Sequence, residues 1–318
     1  LSGVRSTYQH DGLGQWQVTA NLQQQSFSET QGGHYFRVST NADGFRTQSG
    51  RALPDGQTRI ALMGDSTVFG WGVNDDESIA AVAEAELVRL GNDVQVLNLG
   101  QPGYSTAMVG GLFQETVVAY EPDLTIVFIP MHDYNKSLVS DLEYLQGAQT
   151  VRGAVRAWLV QNVALYELLR RQLYPLALRP QLLPHETSRE DRVERVSIDE
   201  RRTVLNQMRE AASAWGGEVS VGLLPLYADL QRGSGAEQSA SGLAAVHLTS
   251  RPGLNALAAW SAQHQRPVFD LRDCCARGGK DRTFPFDHSH LNALGSREVG
   301  VALSQAMVTS GVIPEQGL

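Results

Sequence analysis

The sequence predicts an α/β domain built on a parallel sheet with helices on both faces. Three observations carry this expectation. Five short apolar runs recur along the chain, at 60–63, 94–99, 124–129, 219–224 and 268–271. Segments of helical period separate them, as βαβ units require. The runs are apolar nearly throughout, the pattern of strands buried on both sides.

The elements follow in order. Residues 1–57 are rich in Gln, Ser, Thr and Gly, with weak period-two stretches at 16–20 and 35–39 and a turn at Asn41-Ala42-Asp43-Gly44. They are expected to form a β-rich or irregular N-terminal extension. Residues 58–318 are expected to form the main domain. Its first strand, 60–63, ends at Gly64, and a helix over 78–90 is closed by Gly91-Asn92. The strand 94–99 precedes a helix over 105–120, and the strand 124–129 is the most apolar run of all. A helix over 196–215 stops at Gly216-Gly217, the strand 219–224 follows, and a helix over 254–264 precedes the strand 268–271. A helix over 295–309 ends the series.

Two stretches interrupt the alternation. About 136–195 reads as an insertion, with an amphipathic helix near 154–174 and a charged run at 186–195; a solvated surface and a cap beside a site are the two readings. The Gly/Ser-rich segment 233–242 reads as a loop.

The 318 residues are 42% hydrophobic and 19% charged, a globular composition with a formal charge of −8. The acidic balance excludes the concentrated basic footprint of a nucleic-acid binder. No apolar run reaches the length of a membrane span; the longest candidate, 154–174, is broken by three arginines and a glutamate. The two cysteines, Cys274 and Cys275, are adjacent, so they supply no disulfide framework. No structural-zinc spacing is present, and no cofactor is expected.

In open parallel sheets ligands bind beyond the carboxyl ends of the strands, so chemistry is sought there. The first strand delivers Gly64-Asp65-Ser66-Thr67. Ser66 is a candidate nucleophile, although the same residues also make a tight helix-capping turn. Val68 replaces the second glycine of a nucleophile elbow. Asn98-Leu99-Gly100-Gln101-Pro102-Gly103 follows the second strand, where glycine lets a backbone N–H face a site. The third strand ends in Pro130-Met131-His132-Asp133-Tyr134-Asn135, abruptly polar. Asp287-His288-Ser289-His290 precedes the last helix, and Asp287 three residues ahead of His290 could orient it as a base for a serine hydroxyl. Two histidines and an aspartate also have the composition of a metal site, but no further ligand shows comparable spacing.

This ordered set resembles the SGNH (GDSL) hydrolases, in their bacterial serine esterase and acylhydrolase branch. The blocks are Gly64-Asp65-Ser66, Asn98 to Gly103, His132-Asp133, and Asp287 to His290 with Leu291-Asn292 and Gly295. Asn41-Ala42-Asp43-Gly44-Phe45-Arg46 and Phe69-Gly70-Trp71-Gly72-Val73 add to the likeness. The resemblance implies a three-layer α/β/α sandwich with a flavodoxin-like, five-stranded parallel sheet. It implies hydrolysis of esters or thioesters through an acyl-enzyme, with Ser66 as nucleophile, His290 as base then acid, and Asp287 as its orienter. The N–H groups of Ser66 and Gly103 would form the oxyanion hole. Its third donor is ordinarily an Asn side chain before an Asp; here that position is His132.

The expected activity is hydrolysis of short-chain, most plainly acetyl, esters of a small molecule or glycan. Trp71, Tyr104, Tyr134, Phe284 and Phe286 are the aromatic candidates for substrate contact, with core packing as their alternative. An O-acyltransferase using the same triad, and a non-catalytic glycan-binding or assembly module, are the other function classes. The resemblance also implies an extracytoplasmic location, because this branch often follows an export signal or anchor.

Overall fold

The computed structural model describes residues 8–10, 15–28, 34–47, 56–137, 139–148, 155, 193–225, 251–275 and 290–313. The predicted helix at 154–174, the loop at 233–242, and Phe284, Phe286, Asp287 and His288 lie outside the described residues, apart from position 155.

Four short strands come first: β1 (Tyr8–His10), β2 (Trp16–Val18), β3 (Gln25–Ser28) and β4 (Tyr35–Val38). β1 pairs antiparallel with β2, and β3 with β4. Then follow β5 (Thr58–Met63), α1 (Ser66–Phe69), α2 (Ile79–Arg89), β6 (Val94–Asn98), α3 (Thr106–Glu115) and β7 (Leu124–Phe128). The chain continues through β8 (Lys136–Ser137), α4 (Asp141–Ala148), β9 (Val193–Glu194) and α5 (Ile198–Ala212). β10 (Glu218–Leu223), α6 (Arg251–Gln263), β11 (Val268–Asp270) and α7 (Ala293–Thr309) complete it.

The five predicted strands form one parallel sheet in the order β11-β10-β7-β5-β6. β6 and β7 are buried at every residue, which explains why both read as largely apolar runs despite Gln95, Asn98 and Thr125. One core lies between the sheet and α3, α5 and α6, around Met63, Val127, Phe113, Leu205 and Trp260. The other lies between the sheet and α2 and α7, around Leu62, Ile126, Leu87 and Leu303. This is the expected α/β/α sandwich.

The helix expected over 105–120 is two pieces: α3 ends at Glu115, and a 3₁₀ turn, Val117–Tyr120, follows. Thr116 leaves helical geometry at φ −131°, and beyond it the Tyr120 hydroxyl donates to Asp43 at 2.5 Å.

The N-terminal strands pack on α1. Val18, Leu22, Phe27, Phe36 and Val38 form a small core with Phe69 of α1. Arg46, buried, donates to the carbonyls of Phe69, Gly70 and Val73 and pairs with Asp75 at 2.9 Å. These four partners lie within residues 69–75, and a further bond reaches the Arg37 carbonyl of β4, which clamps the segment that follows α1 to the N-terminal strands.

Candidate active site

The site lies at the carboxyl edge of the central strands. Asp65 ends the turn after β5 and caps α1, its side chain accepting from the Thr67 N–H at 2.9 Å. That cap fixes Ser66 as the first helical residue. The turn after β6 is locked against it. Asn98 donates to the Phe69 carbonyl at 3.1 Å and accepts from the Gly100 N–H at 3.2 Å, and the Gln101 N–H bonds the Gly64 carbonyl at 3.1 Å. A Cβ on Gly100 would lie 2.3 Å from the Phe69 nitrogen, so only glycine permits this approach.

Gly103 takes φ +80°, in the left-handed region. Its N–H has no acceptor among the described residues. Its outer side is covered by Trp16 of β2, whose Cζ2 would be 2.9 Å from a Cβ there. Trp16 Nε1 donates to the Pro102 carbonyl at 2.7 Å, the Tyr104 hydroxyl donates to the Trp16 carbonyl at 2.6 Å, and the two rings meet edge-on. The Val18 N–H donates to the Gln101 side chain at 3.0 Å. The second motif is thus held between the Ser66 turn and the N-terminal segment.

His290 comes from the approach to α7, which Asn292 caps by accepting from the Gly295 N–H at 2.9 Å. Its Nε2 lies 2.8 Å from Ser66 Oγ, within hydrogen-bonding distance. The two residues are 224 positions apart in the chain. Trp71 packs its half-buried ring against Phe27 and Phe36 and lies 6.4 Å, centroid to centroid, from the His290 ring.

His132 sits in the 3₁₀ turn Met131–Tyr134. Burial lowers its proton affinity; the charges of Arg195 and His290 add to this, and those of Asp65 and Asp141 oppose it. Asn135 Nδ2 is 3.4 Å from its Nδ1. The next residue, Asp133, is completely buried. Its carboxylate accepts from the Thr106 N–H at 2.7 Å, from the Thr106 hydroxyl at 2.6 Å and from Arg201 Nε at 2.9 Å. Arg201, equally buried, lies over the Tyr134 ring at 4.3 Å. This cluster ties the His132 turn to the first residue of α3, just past Gly103.

Ser66 and His290 are therefore brought into direct contact, while Gly103 and His132 stand on the two neighbouring turns. Tyr104 and Tyr134, expected at the substrate, require correction. They are 1% and 3% exposed, their rings fill the core below the site, and the Tyr104 hydroxyl is engaged with Trp16. Sequence reasoning passed over Trp16 and the Asp133–Arg201 pair. Arg201 carried a signal: it shares the buried stripe of α5 with Val204, Leu205, Met208 and Ala212, where a charge requires a partner. Among the described residues no group of three His, Cys, Asp or Glu is placed to hold a metal, and no helix is long and apolar enough to cross a membrane. Cys274 and Cys275 are free thiols 3.6 Å apart, with Cys275 buried under the start of α7.

The family described as "GDSL-like Lipase/Acylhydrolase family" matches residues 62–251, more than half of the chain. No curated protein matches by sequence. Among solved structures, a lipase/acylhydrolase from Enterococcus faecalis is similar at 14% identity, with 82% of this chain and 100% of that chain covered and a TM-score of 0.49. A catalytic mutant of an acetylxylan esterase from Geobacillus stearothermophilus is similar at 12% identity, with 84% and 99% covered and a TM-score of 0.48.

Proposed function

The chain belongs to the GDSL-like lipase/acylhydrolase family, and from that premise we propose that it is a serine ester hydrolase working through an acyl-enzyme. The observation that carries this reading is the 2.8 Å contact between Ser66 Oγ and His290 Nε2. A serine hydroxyl is a weak nucleophile until a base takes its proton, and an imidazole nitrogen at this distance is placed to do so.

In the proposed reaction Ser66 Oγ attacks the ester carbonyl carbon while its proton passes to His290 Nε2. The carbonyl electrons move to oxygen, and the N–H groups of Ser66 and Gly103 stabilise that oxyanion. With Nε2 accepting from serine, the His290 proton lies on Nδ1, where Asp287 would hold it and balance the imidazolium. Collapse of the intermediate breaks the bond to the alcohol, which leaves with the proton from His290. Water, activated by the same imidazole, then releases the acid.

His132 is proposed as the third oxyanion donor in place of the family's asparagine. Its lowered proton affinity favours a neutral ring, and an Asn135 amide donating to Nδ1 leaves the ring N–H on Nε2. The substrates proposed are short-chain acyl esters, acetyl being the smallest, of a neutral carbohydrate hydroxyl. The acidic balance of the chain and the Trp71 ring beside His290 support that alcohol. An extracytoplasmic location belongs to the same proposal, and cell fractionation tests it.

A fluorophosphonate probe should label the wild-type protein at Ser66, and hydrolysis of p-nitrophenyl acetate should fall by several orders of magnitude in Ser66→Ala with folding preserved. Turnover of that variant within about tenfold of wild type would refute the assignment. A strong acceleration by a sugar acceptor would point to acyl transfer, and absence of labelling to a binding module.

A further inference from the structure

The sequence has two cysteines, adjacent in the chain, and the mechanism above uses neither. They lie in the turn directly after β11, where the Cys274 N–H donates to the Leu271 carbonyl at 3.2 Å. That turn stands at the carboxyl edge of the parallel sheet, the edge that carries Ser66. Cys274 is half-buried and Cys275 fully buried, with their Sγ atoms 3.6 Å apart. The Cys275 thiol donates to the Gly295 carbonyl at 3.9 Å, and the Gly295 N–H donates to Asn292, the cap of α7. Cys275 also shares one core with Leu291, the chain neighbour of His290. The thiol pair is thus a support of the turn that delivers His290 to Ser66.

The two thiols differ in reactivity. Contact with the Cys274 sulfur, burial and the Glu298 carboxylate together push the Cys275 thiol up, so it keeps its proton. Cys274 is the sulfur that a reagent reaches from solvent. A bond between the two would be tense, because consecutive Cα atoms stand about 3.8 Å apart, inside the roughly 4.4–6.8 Å that disulfides ordinarily span. Tense disulfides are easily reduced, which suits a switch better than a staple. An S–S bond is about 2.05 Å long, so ring closure brings the sulfurs together by about 1.5 Å. The disulfide also has no thiol hydrogen, so the donation to Gly295 is lost with it.

We propose that Cys274 and Cys275 form a reversible oxidation site whose disulfide displaces the start of α7 and switches the active site off. The co-reactant is an external disulfide, RSSR. The effect on activity rests on the esterase reading above; the oxidation does not. The Cys274 thiolate attacks one sulfur of RSSR, forming Cys274–S–S–R and releasing RS⁻, which takes up the Cys274 proton. The Cys275 sulfur then attacks the Cys274 sulfur, forming the ring and breaking the bond to the second SR group. Glu298, whose buried Oε2 meets no hydrogen-bond partner among the described residues, takes the Cys275 proton and passes it to that departing thiolate. The chain loses two hydrogen atoms, and RSSR becomes two RSH.

The test is treatment of the reduced protein with excess oxidised glutathione, followed by intact mass and by initial rates on p-nitrophenyl acetate, before and after dithiothreitol. Wild type should lose the mass of two hydrogens and retain no alkylatable thiol; the chain has no other cysteine, so that change reports this ring alone. Its rate should fall at least about tenfold, since a 1 Å displacement of a catalytic group costs about 10²-fold, and dithiothreitol should restore it. Cys274→Ser should hold its rate when oxidant is added. A glutathione adduct or an intermolecular disulfide in place of the ring would overturn the proposal. So would a ring that leaves the rate within about twofold, or an equal loss of rate in Cys274→Ser. If the reduced protein shows no Ser66-dependent hydrolysis, the esterase reading falls, and amide hydrogen exchange over 291–300 decides the switch. Exchange at least about tenfold faster in the oxidised protein supports it, and equal protection overturns it.

Discussion

Replacing Gly103 by alanine is expected to damage both stability and turnover, for two separable reasons. The first is conformational. At φ +80° an L-residue meets its own carbonyl, at a cost of about 1–2 kcal/mol. The second is steric. The new methyl carbon would stand 2.9 Å from Trp16 Cζ2, where carbon atoms ordinarily rest about 3.5–4.0 Å apart. The ring yields poorly, because Nε1 is bonded to Pro102, the backbone carbonyl accepts from Tyr104, and the Tyr104 ring abuts it edge-on. The turn must therefore move by half an ångström or more, at a further cost of about 1 kcal/mol or more. The sum is about 2–3 kcal/mol, read from urea denaturation. The same shift carries the Gly103 N–H away from the oxyanion, so kcat should fall by about 10²–10³ with KM little changed. Trp16→Ala in the Gly103→Ala background removes the clash and leaves the φ strain, so it should restore part of the stability and about tenfold in kcat. If Gly103→Ala loses the expected stability yet keeps kcat within about threefold of wild type, its N–H is no transition-state donor and the oxyanion assignment is wrong.

His132→Ala should lose about 10²–10³ in kcat and His132→Asn should retain most of it; a change confined to KM would make the residue a substrate contact. Because burial holds the folded His132 below its ordinary value of 6.5, the unfolded chain takes up a proton that the folded chain refuses. Stability should therefore decline as the pH drops through 6.5 toward the lower folded value, and His132→Asn should flatten that decline; urea midpoints across the window check the sign. Asp133→Ala removes the fully buried partner of Arg201, which keeps Glu194 at 3.5 Å and the Val196 carbonyl, and releases Thr106, so it should cost about 3 kcal/mol, and a loss under about 1 kcal/mol would show that the pair does not anchor the turn. Asp287→Asn should slow turnover by roughly 10²–10⁴, with His288→Ala far milder; a His288→Ala as inactive as His290→Ala would reassign the base.

The sheet was legible because its strands advertise their own burial. Val127, Ile126 and their neighbours are apolar on both faces, and that pattern survives without knowing what covers them. The polar residues just past those strands were legible for a related reason: a parallel sheet exposes its carboxyl edge, so a serine, a glycine turn and a histidine at those places announce a site. Local spacing could not say which aromatic residues face it. Tyr104 and Tyr134 adjoin the motifs in sequence, yet their rings point into the core, where Trp16 and Arg201 engage them.

By itself, then, the sequence determined the order of the five sheet strands and the helices between them, the α/β class and the set of chemically capable residues, because each of these is written in periodicity or in residue type within a few positions; it did not place the short elements β8, α4 and β9 of the insertion. Tertiary structure alone decided that Ser66 and His290 meet at 2.8 Å, that an N-terminal tryptophan backs Gly103, and that Arg201 reaches Asp133. Those contacts join residues 224, 87 and 68 positions apart. A side chain's type states what it can bond, but which partner it finds depends on how the sheet and its covering layers bring distant turns to one edge.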